Sequence, residues 1–158
     1  MEQFDEQKAA RVWQRVQKKD PPEPLRRDIA TLIRATAEQA AYYRNLSRAF
    51  SGTYGDRLRE YGRQQQRAAD CLLGICRLSG IAPPAVPARP QPPEPPIRLL
   101  EKCCHSERRL YTEYRSRSED PDWGRVYEHM AADAAERCCG LLGILGGIGR
   151  QGHPPKDR

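Results

Sequence analysis

The sequence predicts an all-α fold in which two repeated helical hairpins form a four-helix bundle, with one further helix at the amino terminus. Apolar residues recur at spacings of three and four along the predicted helices. Residues 38–80 also align without a gap with residues 107–149, an offset of 107 − 38 = 69. Two copies of one supersecondary unit are expected to bury their apolar faces against each other.

The repeat is recognised from residue pairs that share the same offset. These pairs are Glu38 with Glu107, Tyr42 with Tyr111, Tyr54-Gly55 with Trp123-Gly124, Leu72-Leu73-Gly74-Ile75 with Leu141-Leu142-Gly143-Ile144, and Gly80 with Gly149.

Residues 1–20 are predicted to hold a short amphipathic helix, separated from the bundle by Asp20-Pro21-Pro22. This helix would cap or flank the bundle. The alternative is an arm that forms a homodimer, with Trp13 as its buried anchor.

The bundle is assigned to residues 21–149, and its first hairpin to residues 24–80. The first helix of this hairpin runs from about Pro24 to Phe50 without internal Gly or Pro, and Ser51-Gly52-Thr53 ends it. The second runs to about Leu78, where Gly80 supplies a helix stop signal. The stripe expected to face inward on the first helix consists of Ile29, Leu32, Ile33, Thr36, Ala40 and Tyr43.

Residues 81–96 are rich in proline and favour the extended polyproline II conformation. At about 3.1 Å per residue, this segment could span about 50 Å. A helix of 27 residues is only about 40 Å long. We therefore predict a crossover that returns the chain along the bundle and makes the helices on either side of it parallel. The alternative is a flexible linker between two domains.

The second hairpin is assigned to residues 97–149 and a polar tail to residues 150–158. Its first helix ends near Ser118, and Asp120 and Pro121 mark the start of the next helix as N-cap and first-turn residues. Gly146-Gly147 is predicted to stop the last helix after about Leu145.

The composition fits a charge-coated helical protein. The chain has 158 residues, 30% of them charged, and a formal net charge of +6. Arginine is interleaved with acidic residues, so we expect a solvated surface and no nucleic-acid partner. The longest apolar run is too short to cross a membrane and residues 1–19 lack a signal-peptide pattern, so a cytoplasmic location is expected.

The repeated hairpins resemble the ferritin-like superfamily, and within it the rubrerythrin-like four-helix bundles. The resemblance covers about residues 25–149. Each hairpin of that family supplies a Glu with a Tyr four residues later, matched here by Glu38 with Tyr42 and by Glu107 with Tyr111. The resemblance also implies a Glu-x-x-His motif in each second helix, and a di-iron centre between the helices.

The chain departs from this family at the expected metal ligands. The two Glu-x-x-His positions are occupied by Gln65 and Ala68, and by Ala134 and Arg137. Iron prefers an anionic ligand shell, and a guanidinium within that shell would repel it. The resemblance therefore implies a degenerate di-iron site, for which we expect no cofactor. If a metal were bound, Glu38 and Glu107 would be its ligands.

We expect a polar network where the family holds its metal. Glu38 and Glu107 would face each other at the middle of the bundle, and Arg137 would bridge them with its planar guanidinium. The side chains predicted to complete the network are Gln65, Tyr42 and Tyr111. The alternative for Arg137 is a side chain that extends to solvent.

Four cysteines are predicted to lie near this layer, at one end of the bundle. They are Cys103, Cys104, Cys138 and Cys139. Neighbouring helical residues point about 100° apart, so convergence of all four is not expected. Core packing is the favoured interpretation, with a reversible disulfide or a metal site as alternatives. His105 and His129 are expected on solvated helix faces.

These features favour a non-catalytic structural or interaction module, with a homodimer left open. The alternative is a rubrerythrin-like oxidoreductase or iron-binding protein with atypical ligands. Its ligands would be drawn from Glu38, Glu107, Gln65, Asp133 and Glu136. A cysteine-based redox or zinc site is a third, weaker interpretation.

Overall fold

The computed structural model describes residues 23–85 and 93–151, and four helices account for most of these residues. They are α1 (Glu23–Ala49), α2 (Gly52–Leu78), α3 (Pro96–Ser116) and α4 (Gly124–Gln151). The helices pack as two hairpins, α1 with α2 and α3 with α4, and the hairpins pack into one bundle. The all-α four-helix prediction is confirmed. The predicted N-terminal helix, with Trp13, lies outside the described residues.

Two apolar clusters form the core, one towards each end of the bundle. The lower cluster joins the start of α1 to the end of α3, and it contains Ile29, Leu32, Ile33, Leu72, Ile75, Cys76, Ile81, Leu110, Tyr114, Tyr127, Met130, Ala131 and Ala134. The upper cluster joins the end of α1 to the start of α3, and it contains Tyr42, Tyr43, Leu46, Leu58, Leu99, Leu100, Cys103, Cys104, Leu141 and Ile144. Because the early part of one helix meets the late part of the other, α1 and α3 are antiparallel.

The helix directions follow from these clusters. Helix α2 runs from Leu58 in the upper cluster to Ile75 in the lower cluster, and α3 runs from Leu99 in the upper cluster to Leu110 in the lower cluster. The two helices are therefore parallel. Ile81 lies in the lower cluster, so the chain must return to the other end of the bundle before α3 begins. Residues 86–92 of this connection lie outside the described part of the chain.

The repeated glycines Gly55 and Gly124 have the same role in the two hairpins. A Cβ atom on Gly55 would lie 2.2 Å from the carbonyl oxygen of Phe50, and one on Gly124 would lie 2.3 Å from that of Ser118. Each glycine therefore lets the start of a helix approach the backbone that leads into it. The side chain of Asp120 also holds the second turn, since its Oδ1 accepts hydrogen bonds of 2.9 Å from the backbone N–H groups of residues 122 and 123.

Two tyrosines of α2 pack over two glycines of α4. A Cβ atom on Gly140 would lie 1.8 Å from the Tyr61 hydroxyl, and one on Gly147 would lie 2.0 Å from the Tyr54 hydroxyl. Both pairs are spaced by seven residues, or about two helical turns. The tyrosines thus fill the space between α2 and α4, where glycine leaves room for them.

Helix α4 is longer than predicted. The sequence predicts an end at Gly146-Gly147, but the helix continues to Gln151. Ile148 packs against the upper cluster and Gly147 receives Tyr54, so contacts beyond the glycine pair hold this turn in place. At the end of α2, in contrast, Gly80 adopts a φ of 70° and Ile81 donates a hydrogen bond of 2.8 Å to Cys76, so the predicted stop at Gly80 is confirmed.

Alanine at the repeated turn glycines is expected to destabilise the protein. Gly55→Ala and Gly124→Ala should each lower the free energy of unfolding by about 1–3 kcal/mol, because the added Cβ meets backbone atoms that cannot rotate away. Gly74→Ala and Gly143→Ala are matched controls, since a Cβ atom at either position meets nothing within 4 Å. These controls should stabilise by up to about 1 kcal/mol through helix propensity. Urea unfolding of the four variants measures these changes in the free energy of unfolding. Equal changes in the turn variants and in the controls would contradict the prediction.

Candidate functional site: a buried polar layer

A layer of polar side chains separates the two apolar clusters. Every helix contributes to it, and its buried members are Thr36, Gln39, Gln65, Glu107 and Arg137. Each member follows the apolar stripe of its own helix, with apolar residues one or two turns away on either side. Buried polar groups require hydrogen-bond partners, so this layer constrains how the four helices meet.

Glu107 of α3 is the centre of the layer and is fully buried. Its Oε1 atom accepts hydrogen bonds from the Tyr43 hydroxyl at 2.5 Å and from Gln65 Nε2 at 2.7 Å. Gln39 Nε2 lies at 3.4 Å from the same oxygen and donates to the carbonyl oxygen of Cys103 at 3.0 Å. One carboxylate oxygen therefore holds side chains from α1 and α2 in contact with α3.

Arg137 of α4 neutralises this carboxylate. Its Nε atom lies 2.9 Å from Glu107 Oε1, and only 2% of the arginine side chain is exposed. Its Nη1 atom donates to Gln64 Oε1 at 3.2 Å. Burial lowers the pKa of Arg137, but the charge and hydrogen bond of Glu107, together with Tyr43 and Tyr114, act in the opposite direction and the pKa is raised overall. Arg137 is therefore charged in the core, and it does not extend to solvent.

Three buried oxygen atoms of the layer have no donor within the described protein. They are Glu107 Oε2, Gln39 Oε1 and Gln65 Oε1. The other carboxylate oxygen of Glu107, Oε1, accepts the hydrogen bonds described above. The Nε2 atoms of Gln39 and Gln65 both point to that oxygen. The layer thus leaves three acceptor atoms without a donor among the described residues, so the loss of Tyr43 or Arg137 as a donor would add to this cost.

Two buried tyrosines border the layer. Burial and the neighbouring Glu107 carboxylate raise the pKa of Tyr43 well above its ordinary value. Burial raises the pKa of Tyr114 to about 12, against a smaller opposing effect of the hydrogen bond with Thr36. The Thr36 and Tyr114 hydroxyls are 3.0 Å apart, and Thr36 donates to the carbonyl oxygen of Leu32 at 2.8 Å. Both phenols are neutral donors at neutral pH.

The structure brings together three of the predicted network residues: Glu107, Arg137 and Gln65. The prediction that Glu38 faces Glu107 is wrong, because the Glu38 side chain is exposed on α1. Tyr42 donates to Glu38 Oε1 at 2.6 Å, away from Glu107. Tyr111 is 40% exposed and is also outside the layer. Arg137 therefore pairs with one carboxylate and does not bridge two.

The sequence analysis missed Gln39, Gln64 and Tyr43 as members of the site. Tyr43 and Thr36 were predicted to face inward, but no polar role was assigned to them. The spacing of this inward stripe indicates that Gln39, and not Glu38, faces the core. Gln39 lies three residues after Thr36 and four before Tyr43, whereas Glu38 falls outside that spacing.

Of the four cysteines near the layer, one pair is in contact. The sulfur atoms of Cys104 and Cys138 are 3.5 Å apart, and both residues are free thiols. Cys103 is buried on the neighbouring face, and Cys139 is exposed. The four side chains do not converge, as the angle between adjacent helical residues predicts.

The residues present do not fit a di-iron centre. Such a centre takes four carboxylates and two imidazoles. Here the layer offers one carboxylate and two amides, with a guanidinium already bound to the carboxylate. Asp133, Glu136, His105 and His129 are all exposed. Within residues 23–85 and 93–151, no three side chains of His, Cys, Asp or Glu gather as a metal site would require.

Comparisons with models of known protein families, with curated proteins and with solved structures found no match to this chain. They lend no support to a ferritin-like or rubrerythrin-like assignment, so the structure establishes a four-helix bundle and no family. None of the described helices is long and apolar enough to span a membrane.

Loss of the Arg137 guanidinium is expected to destabilise the protein strongly. Arg137→Ala leaves the Glu107 carboxylate buried without its counter-charge and should lower the free energy of unfolding by about 3–5 kcal/mol. Arg125→Ala is a matched control on the same helix, because Arg125 is exposed, and should change stability by less than about 0.5 kcal/mol. Urea unfolding measures both values. A loss below about 1 kcal/mol in Arg137→Ala would count against the ion pair as the centre of the core.

Stability is expected to fall as the pH rises above about 10. An unfolded tyrosine has a pKa near 10, whereas burial raises the pKa of Tyr114 in the folded protein to about 12. The unfolded state therefore loses protons first, and the stabilisation present below pH 10 is lost between these two values. Urea unfolding at pH 9, 10 and 11 measures this decline, which should be smaller in Tyr114→Phe. An equal decline in the variant would show that Tyr114 does not contribute to it.

Proposed function

We propose that this protein is a non-catalytic structural module, a bundle of ferritin-like topology in which an arginine replaces the metal of rubrerythrin-like proteins. The topology supports the comparison: α1 is antiparallel to α2 and α3, and α2 is parallel to α3. This order is what two helical hairpins produce when a long crossover joins them.

The Glu107–Arg137 ion pair is the observation that carries this proposal. In a metal centre, cations neutralise carboxylates that the fold has buried. Here the cation is covalently part of α4 and lies 2.9 Å from the carboxylate oxygen. Tyr43 and Gln65 complete the hydrogen bonding of that oxygen. The charge of the core is thus balanced by the polypeptide alone.

Fixed neutralisation favours a structural function over a catalytic one. Glu107 and Arg137 are both buried, so neither is exposed to a substrate in solution. The neighbouring phenols of Tyr43 and Tyr114 hold their protons more tightly than free tyrosine does, which makes them poor bases at neutral pH. The layer can hold helices in register, but it presents no activated nucleophile.

The alternative function, an iron-binding oxidoreductase, has less support. Of its proposed ligands only Glu107 and Gln65 meet in the core, while Glu38, Asp133 and Glu136 lie on exposed faces. A homodimer or another protein partner stays a prediction from the sequence.

The purified protein is expected to be free of metal and insensitive to its removal. Elemental analysis after expression with added iron should give less than about 0.1 metal atom per chain, and a chelator should leave the thermal midpoint unchanged within about 1 °C, because the Arg137 guanidinium already neutralises the buried Glu107 carboxylate. A Glu107→Gln/Arg137→Gln double variant serves as the control that removes both charges together. About two iron atoms per native chain, lost in the double variant, would overturn the proposal.

A further inference from the structure

Cys104 and Cys138 form an isolated thiol pair between α3 and α4. Cys104 lies one helical turn before Glu107, and Cys138 directly follows Arg137. Their sulfur atoms are 3.5 Å apart, and the Cys138 sulfur is 3.9 Å from the carbonyl oxygen of Cys104. The ion pair explains why these positions meet, since it fixes the register of α3 against α4 at the adjacent residues.

We propose that Cys104 and Cys138 form a reversible disulfide that cross-links α3 to α4 beside the buried ion pair. A disulfide has a sulfur–sulfur distance of about 2.05 Å, so the two atoms must approach by about 1.5 Å. The proposal requires both side chains to rotate towards each other, and Cys138 is only half-buried. The inference does not depend on the metal-free function proposed above.

A small disulfide such as oxidised glutathione can drive the reaction by thiol–disulfide exchange. The Cys138 thiolate attacks one glutathione sulfur, which forms a mixed disulfide and releases the first glutathione thiolate. The Cys104 thiolate then attacks the Cys138 sulfur and releases the second. The two protein thiols lose two electrons and two protons in total, and oxidised glutathione becomes two reduced thiols.

Exposure decides the order of the two steps. Cys138 is half-buried, whereas only 6% of Cys104 is exposed, so the glutathione disulfide reaches Cys138 first. Burial and the hydrogen bond with Cys138 raise the pKa of Cys104 to about 11. The second step should therefore accelerate as the pH rises towards that value, because the thiolate is the attacking form.

The other described cysteines provide internal contrasts. Cys71 and Cys139 are exposed. We expect both to accept glutathione as mixed disulfides that dithiothreitol removes. Cys76 and Cys103 are buried, and burial raises the pKa of each thiol, which should keep them unmodified. The cross-link is thus expected at one pair among six thiols.

The test uses the full-length chain incubated with oxidised glutathione at pH 8.5, quenched in acid, alkylated and mapped by mass spectrometry. A peptide linking Cys104 to Cys138, lost after dithiothreitol, is the expected product. The cross-linked protein should unfold about 5–10 °C higher than the reduced protein, because the bond closes a loop between helices that separate on unfolding.

Single serine variants identify the bond. Cys104→Ser and Cys138→Ser should lose both the linked peptide and the thermal shift, whereas Cys139→Ser should keep both. Circular dichroism checks that each variant is helical. The proposal is overturned if the native chain links Cys138 to another cysteine, or if Cys138 carries glutathione at pH 8.5 and at pH 10 while Cys104 is still a free thiol.

Discussion

The bundle depends on one buried carboxylate that accepts bonds from the other three helices. Glu107 of α3 contacts Tyr43 of α1, Gln65 of α2 and Arg137 of α4 through the same oxygen. An apolar core tolerates sliding of one helix past another, because apolar contacts are not directional. A buried charge tolerates little displacement, because a carboxylate that loses a hydrogen-bond donor in the core is no longer compensated for its lost hydration. The layer therefore specifies register, while the two apolar clusters supply most of the stability.

Small residues allow the helices to reach that register. Gly55 and Gly124 bring each hairpin's second helix close to the backbone before it, and the glycines at 140 and 147 receive tyrosines from α2. These contacts leave α2 and α4 separated by aromatic rings, one of which also packs edge-on against Tyr43, with ring centroids 5.7 Å apart. The polar layer and the glycine contacts are thus linked through the tyrosines. The thiol pair of Cys104 and Cys138 lies where this register brings α3 and α4 together.

The resemblance to rubrerythrin-like proteins was most informative where it failed. Gln65 and Arg137, which occupy two of the expected ligand positions, both lie in the polar layer. The resemblance also predicts that Glu38 faces Glu107, but the two side chains do not meet in the folded protein. The repeat holds well for the second helix of each hairpin, where Leu72 and Leu141 are both buried. In the first helices the gapless offset does not preserve burial, because Glu38 is exposed and Glu107 is fully buried.

The sequence alone determined the four helices of the bundle, most of their ends and the inward stripe of α1. These features depend on local periodicity and on Gly and Pro, whose effects act over a few residues. Only the tertiary structure decided which polar residues meet. Glu38 and Gln39 point about 100° apart, and rotating the helix about its axis would turn either one inward without changing the helix's own hydrogen bonds. The same holds for the choice of Cys104 and Cys138 among four candidates. Their meeting requires two helices to be placed against each other, and packing around Glu107 and Arg137 sets that placement.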